Sequence, residues 1–170
     1  MKNLFLSLIS RSKIDCKEIA HITDVFEDKL VLKKTIRKGV HTSKPESNSE
    51  MFFNFQIYNA ENNSLLYSSS DKDITLDDQT WKDLDLLRES GVCYSCFLDE
   101  YKVSKVLKNC LKLTKKMEIA EVLVLDPAKY IQYGDDYNEI LKHTDNVANL
   151  KLKYVVKLYN FTEVIFFSSQ

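Results

Sequence analysis

A single amphipathic helix set among β-strands is the feature that most constrains how this chain can fold. In residues 100–117 the apolar positions recur at i, i+3, i+4 and i+7, which places on one side of a helix Val103, Val106, Leu107, Cys110, Leu111 and Thr114. The other side is basic and carries Lys105, Lys108, Lys112, Lys115 and Lys116. Because such a helix buries its apolar side against another element, the pattern predicts one helix packed on a sheet.

Segments with strand character lie on both sides of this helix. Residues 51–58 alternate apolar and polar side chains, and residues 65–67 return after a polar turn, which predicts a hairpin. Residues 150–161 have the most regular strand pattern, with Leu150, Leu152, Tyr154, Val156 and Leu158 on one face and Lys151, Lys153 and Lys157 on the other. Further strands are predicted at 30–37, 92–98 and 118–125, a polar loop at 40–50, and an irregular stretch rich in Tyr and Asp at 128–148.

Two more helices are expected outside this core. Residues 1–28 have an approximate apolar face, and residues 77–90 place on one side Trp81, Leu84 and Leu87. Asp77 or Asp78 could cap the start of the second helix, and Gly91 stands where a C-terminal cap belongs. Because hairpins and loops join most of the strands, the chain is predicted to be α+β, with a small twisted antiparallel sheet packed on the helix at 102–116.

Composition and charge exclude several classes of protein. The chain has 170 residues and a formal net charge of -1, so its overall charge favours neither nucleic acid nor a membrane surface. No apolar run reaches the ~20 residues of a membrane span, and the apolar start meets Arg11 and Lys13 too early for a signal peptide. Two of the four cysteines (Cys16, Cys93, Cys96 and Cys110) lie on apolar segments, as reduced buried cysteines do. We therefore expect a reducing, cytoplasmic setting.

The order of these segments resembles the FKBP-type peptidyl-prolyl isomerase (immunophilin) family. The family's central block is a strand, a helix of the type Val-Ile-x-Gly-Trp-Glu, a basic turn with Gly-Glu, a second strand, and Pro-x-x-Tyr-x-Tyr-Gly. The residues that match it here are Phe97-Leu98-Asp99, Val103 to Leu111, Lys115 to Glu121, Asp126-Pro127, Tyr130 and Tyr133-Gly134. Residues 30–39 are similar to the family's opening strand and 152–158 to its closing strand, so the resemblance covers roughly residues 30–161.

The resemblance implies a twisted antiparallel sheet that wraps as a half-barrel around the central helix. It also implies an N-terminal helical extension at 1–28, an FKBP-like domain at 29–163 with an insertion at about 71–91, and a tail at 164–170. The chain ends just after the apolar residues 164–167, which suits either a natural C-terminus or a junction to a tetratricopeptide array, as in members that recruit the chaperone Hsp90.

Several residues of the family's proline-binding pocket are changed. The pocket Tyr of the first strand corresponds to Phe55, the Phe-Asp-Ser segment becomes Tyr67-Ser68-Ser69, and the indole at the pocket floor becomes Leu107. The Val-Ile pair at the helix entry becomes Val103-Ser104, and residues 135–149 lack the proline of the family's Ile-Pro-Pro loop. The pocket that the resemblance implies is therefore vestigial, has no catalytic residue, and consists of Phe55, Tyr67, Phe97, Val103, Ser104, Leu107, Tyr133 and Tyr154.

These losses lead us to expect a non-catalytic protein-interaction or co-chaperone scaffold without cofactor or metal. Its partners would be proteins, among them a chaperone such as Hsp90 reached through a further C-terminal region, and no membrane is expected. Two alternatives stay open: an active peptidyl-prolyl isomerase, and an RNA-associated module that uses the basic side of the central helix. Nucleic acid is the less favoured partner because no aromatic residues are interleaved with those lysines in the sequence.

Other motifs give weaker signals. Cys93-Tyr94-Ser95-Cys96 is a CxxC motif without a second ligand pair, and residues three apart on a strand point to opposite faces. Four aspartates could suggest calcium but lack the spacing of an EF-hand loop: Asp71, Asp73, Asp77 and Asp78. Three tyrosines could line a groove or pack in the core: Tyr130, Tyr133 and Tyr137.

Overall fold

The computed structural model describes residues 22–75 and 83–163. The strands in these ranges are β1 (Ile22–Asp24), β2 (Val31–Arg37), β3 (Glu50–Asn59), β4 (Leu65–Ser68), β5 (Tyr94–Phe97), β6 (Ile119–Val124) and β7 (Leu152–Phe161). The helices are α1 (Leu84–Ser90), α2 (Lys105–Lys112), α3 (Pro127–Tyr130) and α4 (Asp135–Leu141), with a short 3-10 helix at Val147–Asn149.

All the strand pairs of the sheet are antiparallel. The order is β1-β2-β6-β7-β3-β4, and β5 pairs with the first part of β3 while β4 pairs with the last part. The two longest strands, β3 and β7, lie side by side from Met51 opposite Phe161 to Asn59 opposite Leu152. The predicted α+β architecture with a hairpin at β3 and β4 is confirmed.

The main core lies between one face of this sheet and α2. Alternate residues of β3 and β7 are fully buried on that face, as their spacing predicted: Met51, Phe53, Phe55, Ile57, Leu152, Tyr154, Val156 and Leu158. They pack against the predicted apolar side of α2, which contributes Val106, Leu107, Cys110 and Leu111. Burying each large apolar side chain stabilises the fold by about 1.5–3 kcal/mol, so this layer holds the helix on the sheet.

The opposite face of the sheet is covered as well, which the sequence did not predict. Phe52 and Tyr159 form a second buried cluster with Leu87 of α1, and Ile74 packs in a third cluster with Val155. The covering residues belong to the predicted insertion at about 71–91. Lys157 is therefore fully buried and not exposed as the strand alternation predicted, and its ammonium lies 4.7 Å from the centre of the Tyr159 ring.

The ends of two predicted helices differ from the structure. Residues 22–24 of the predicted N-terminal helix form β1, because their backbone pairs with Leu32 to Lys34 of β2. The rest of that prediction (1–21), the start of the inserted helix with Trp81 (76–82) and the C-terminal tail (164–170) lie outside the described residues. The described part of the inserted helix is capped by Asp83, whose side chain accepts hydrogen bonds from two backbone N–H groups, and it ends at Gly91 with φ 64. The predicted caps, Asp77 and Asp78, lie outside the described residues.

The central helix is shorter than its apolar pattern, and the stretch after β6 is more regular than predicted. α2 begins after Ser104, whose Oγ accepts a hydrogen bond from the Leu107 N–H, and it ends at Lys112. The chain then turns through Met117, which has φ 63 and donates its N–H to the Leu158 carbonyl. The prediction of an irregular stretch at 128–148 was wrong, because α3, α4 and the 3-10 helix occupy most of it. Pro127 at the first position of α3 and two aspartates in the first turn of α4 are the local signals for these helices.

Candidate functional site

The inner residues of the predicted pocket are part of the core. Phe55, Leu107 and Tyr154 are each 0 % exposed, and Val103 is buried beside them. The ring centroid of Phe55 lies 5.4 Å from that of Tyr67 and 6.5 Å from that of Tyr154. The structure thus brings most of the predicted residues together, but they pack against one another in the core.

A buried carboxylate that the sequence did not single out lies among these residues. Asp136 of α4 is fully buried, its Oδ1 accepts a hydrogen bond from the Ser104 N–H at 2.7 Å, and its Oδ2 accepts one from the Tyr154 hydroxyl at 2.7 Å. Burial raises the pKa of Asp136, although the hydrogen bonds from Ser104 and Tyr154 oppose that shift. The backbone N–H at the entry of α2 and the tyrosine hydroxyl are therefore both engaged within the chain.

The start of α4 is fixed against the entry of α2, and this places Asp136. Gly134 has φ 105, and a Cβ on it would lie 2.5 Å from the Val103 carbonyl carbon, so only glycine fits this approach. The next residue, Asp135, donates its N–H to the Lys102 carbonyl at 2.7 Å. The Gly-Asp-Asp sequence at 134–136 is the signal that could have identified this helix start, because acidic residues favour the first turn of a helix.

The outer residues of the predicted pocket remain near the surface. Phe97 at the end of β5 is 46 % exposed, and the half-buried Tyr133 ring lies 5.3 Å from the ring of the strongly exposed Tyr101. Tyr67 is half-buried, and its pKa is raised by burial and by the nearby charges of Glu139 and Asp135. The predicted site therefore divides into a closed interior and a partly open aromatic rim.

Tyr130, Tyr137 and Asp73 of the sequence predictions have structural contacts, whereas Asp77 and Asp78 lie outside the described residues. Tyr130 is buried, its ring stacks on that of Phe26 at 4.0 Å between centroids, and its hydroxyl donates a hydrogen bond to Asp28. That hydrogen bond is the main reason why the pKa of Asp28 is lowered to about 2. Tyr137 packs against the core, and Asp73 accepts hydrogen bonds from Thr75.

The five lysines of the predicted basic side do not form one open surface. Lys105 lies 5.6 Å from the centre of the Phe26 ring, Lys108 lies 5.4 Å from that of Tyr101, and Lys116 pairs with Glu163 at 3.1 Å. Lys112 is half-buried, and Lys115 lines a separate groove. Lys116 also lies 4.8 Å from the centre of the Phe161 ring, so aromatic rings accompany three of these lysines in space although they do not alternate with them in sequence.

The CxxC cysteines lie on different faces of the sheet, as predicted. Cys96 packs in the main core, and Cys93 packs against the cluster formed by Phe52 and α1. Burial raises the pKa of Cys93 to about 11 and the pKa of both Cys96 and Cys110 to about 12, so these free thiols stay protonated near neutral pH.

Metal-binding clusters and membrane-spanning helices are both absent from residues 22–75 and 83–163. There, no group of three or more His, Cys, Asp or Glu side chains is placed to hold a metal ion. In the same ranges, none of the helices has the length and apolar character needed to cross a membrane.

Comparisons with known proteins identify the fold. No protein-family model and no curated protein matches the chain. The structure of the three FKBP domains of wheat FKBP73 is similar with a TM-score of 0.53 and 14% identity, over 82% of this chain and 48% of that one. A multi-domain immunophilin from Arabidopsis thaliana is similar with a TM-score of 0.53 and 18% identity, over 86% of this chain and 47% of that one. The chain spans about half the length of these proteins, and the likeness shows that it has the fold of an FKBP domain.

Proposed function

We propose that this chain is a non-catalytic FKBP-like domain that serves as a protein-interaction or co-chaperone scaffold in the cytoplasm. The observation that carries the proposal is the buried Asp136, which engages both the Ser104 N–H and the Tyr154 hydroxyl. Phe55 and Leu107, which the resemblance assigns to the proline-binding pocket (the proline slot), are both fully buried.

Catalysis of proline isomerisation would require these groups to contact a substrate. The uncatalysed barrier is about 20 kcal/mol, and an enzyme lowers it only through contacts that are stronger in the transition state than in the ground state. A peptide could reach the slot only if Asp136 moved out and left two buried donors unpaired, at a cost of about 1–3 kcal/mol for each donor. The substitutions at Phe55, Ser68 and Leu107 also remove polar and aromatic groups that the resemblance assigns to an active pocket.

The test is a proline-isomer exchange measurement by NMR on a short Ala-Leu-Pro-Phe peptide. The expected exchange rate equals that of the peptide alone, while an active FKBP domain measured under the same conditions accelerates it. A clear acceleration that changes in an Asp136→Asn variant would establish the alternative, an active isomerase.

The scaffold role is supported by the aromatic rim around the closed interior. Phe97 and Tyr101 expose large ring surfaces, and exposed apolar patches commonly mark protein-binding surfaces. Recruitment of a chaperone such as Hsp90 would require a further region after residue 170, so residues 1–170 should not bind purified Hsp90. Binding by residues 1–170 alone would contradict that assignment.

The RNA-binding alternative has less support. The Phe26 and Tyr130 rings near Lys105 stack on each other with an interplanar angle of 6°, so these facing surfaces are not available to bases. Among the lysines of the basic side, Lys116 is paired with an acidic residue.

A further inference from the structure

A lysine-rich groove lies away from the closed pocket, between β2 and the turn that follows α2. Its volume is about 820 Å³, within the ~300–1,000 Å³ typical of ligand sites. The basic residues that line it are Lys33, Lys34, Lys38, Lys44 and Lys115, against two acidic ones, Glu118 and Glu121. A groove with this lining suits a ligand that carries several negative charges.

One of the two acidic residues of the groove, Glu118, is already paired within the fold. Glu118 Oε1 contacts Lys33 Nζ at 2.5 Å and accepts a hydrogen bond from Thr35 Oγ1 at 2.7 Å, while its Oε2 accepts one from the Lys115 N–H at 2.7 Å. Burial alone would raise the pKa of Glu118, but these hydrogen bonds outweigh it and lower the pKa, so the carboxylate stays ionised. Glu121 lies directly opposite Lys34 in the register of β6 and β2.

Three lysines of the groove therefore remain as excess positive charge: Lys38, Lys44 and Lys115. None of them has an acidic partner among the residues that the structure describes, and the side chains of Lys38 and Lys44 are exposed. Their ammonium groups are free to bind an anion without first breaking a contact in this part of the chain.

The backbone holds these lysines beside one another. Val40 donates its N–H to the Lys116 carbonyl at 2.8 Å, and a Cβ on Gly39 would lie 2.5 Å from the same oxygen. The chain at Gly39 and Val40 is thereby packed against the turn that carries Lys115. Close backbone packing thus brings the two walls of the groove together beside Lys38 and Lys115.

We propose that this groove binds an acidic segment of a partner polypeptide, whose carboxylates pair with Lys38, Lys44 and Lys115. The proposal rests on the function proposed above, a protein-interaction domain, and names the chemistry of a partner. A peptide fits the lining better than nucleic acid does, because the described residues of the groove include no aromatic ring for base stacking and no arginine fork for phosphate. Ile22, Ile36 and Leu113 also line it and can contact the aliphatic parts of such a segment.

The test is fluorescence anisotropy at low salt with a labelled peptide of alternating Glu and Ala. We expect saturable binding that weakens with added salt, and no binding of the matched peptide with Gln in place of Glu. The double variant K38E/K44E should weaken binding by about tenfold, because it removes two ion pairs and adds two repulsions. The matched control K105E/K108E makes the same change of net charge outside the groove and should change the affinity by less than about twofold.

Three results would overturn the proposal. They are a failure of the Glu peptide to bind, an equal loss of affinity in the two double variants, and tighter binding of an oligouridylate than of the Glu peptide. The last result would favour nucleic acid as the ligand. The isomerase measurement does not involve this groove, so an inactive domain that fails to bind the acidic peptide would retain its proposed function and lose only this partner.

Discussion

The hydrogen bond between Tyr154 and Asp136 can be removed with little change of shape by Tyr154→Phe. The Tyr154 hydroxyl donates to Asp136 Oδ2 at 2.7 Å, and both side chains are fully buried. The substitution keeps the ring that packs against Phe55 and removes only the oxygen. It leaves the buried Asp136 with hydrogen bonds from Ser104 and from its own backbone N–H.

The expected cost follows from the burial of the acceptor. A buried polar group that loses its partner costs about 1–3 kcal/mol, and no water replaces the lost donor at a fully buried site. We therefore expect Tyr154→Phe to lower the free energy of unfolding by about 2 kcal/mol. This is a large part of the ~5–15 kcal/mol by which native domains are stable.

Urea denaturation followed by circular dichroism measures this change, with Tyr137→Phe as the matched control. The Tyr137 hydroxyl has no hydrogen bond to another described residue, so its loss should change the unfolding free energy by less than about 0.5 kcal/mol. A Tyr154→Phe variant as stable as the control would show that Asp136 is not held by this bond, and the reasoning would be wrong.

Three further perturbations test other parts of the structure by the same denaturation assay. Because burial raises the pKa of Asp136, the native state binds a proton more readily than the unfolded chain does. The free energy of unfolding of the wild-type protein, measured relative to that of Asp136→Asn, should therefore fall as the pH rises from about 4 through the raised pKa. A difference between the two proteins that does not depend on pH would contradict this. Gly134→Ala should lower the free energy of unfolding by about 2 kcal/mol or more, because Gly134 has φ 105 and its Cβ would clash with Val103. Gly91→Ala should cost only about 1 kcal/mol, because Gly91 has φ 64 but faces open space. Equal losses of stability in the two variants would contradict the close approach at Gly134. Glu118→Gln should lower the free energy of unfolding by about 3 kcal/mol, because it leaves the buried Lys33 without its counter-charge. Glu139→Gln, at the exposed pair with Lys142, should cost less than about 1 kcal/mol. Similar small losses in both variants would mean that the Lys33–Glu118 pair is not a buried one.

The faces of the main core could be predicted from the sequence because two periods identify them. Alternation by two marks Phe53 and Phe55 of β3 and Tyr154 of β7, and the spacing of three and four marks Leu107 and Leu111 of α2. These periods show in which direction each side chain points from its own backbone. They were therefore sufficient to predict the main core, in which α2 packs on one face of the sheet.

The second covered face could not be predicted in the same way. Lys157 alternates with apolar residues and so indicates an exposed position, but α1 and the loop around Ile74 cover that side of the sheet. Nothing in a strand's own pattern shows that a distant insertion will pack on its polar face. Burial of Lys157 depends on this tertiary contact and not on local periodicity.

The buried carboxylate at the helix entry was missed for a similar reason. Asp136 and Ser104 are 32 residues apart in sequence, and their contact depends on the position of α4. Asp and Tyr are frequent in residues 128–148, so the composition of this stretch predicts a polar loop. Only Gly134 followed by two aspartates indicates the start of a helix. The pocket residues that the resemblance implies could thus be named from the sequence, but the buried carboxylate that lies among them could not.

Hydrogen exchange of the Ser104 amide shows whether Asp136 closes the entry of α2. A residue at the N-terminal cap of a helix has no partner for its N–H within the helix, so this amide is protected only if Asp136 accepts its hydrogen bond. We predict that it exchanges as slowly as the buried amide of Cys110 in the middle of α2. Exchange as fast as that of the exposed Tyr101 would mean that the slot is open at the helix entry, and the account of a closed, non-catalytic domain would fail.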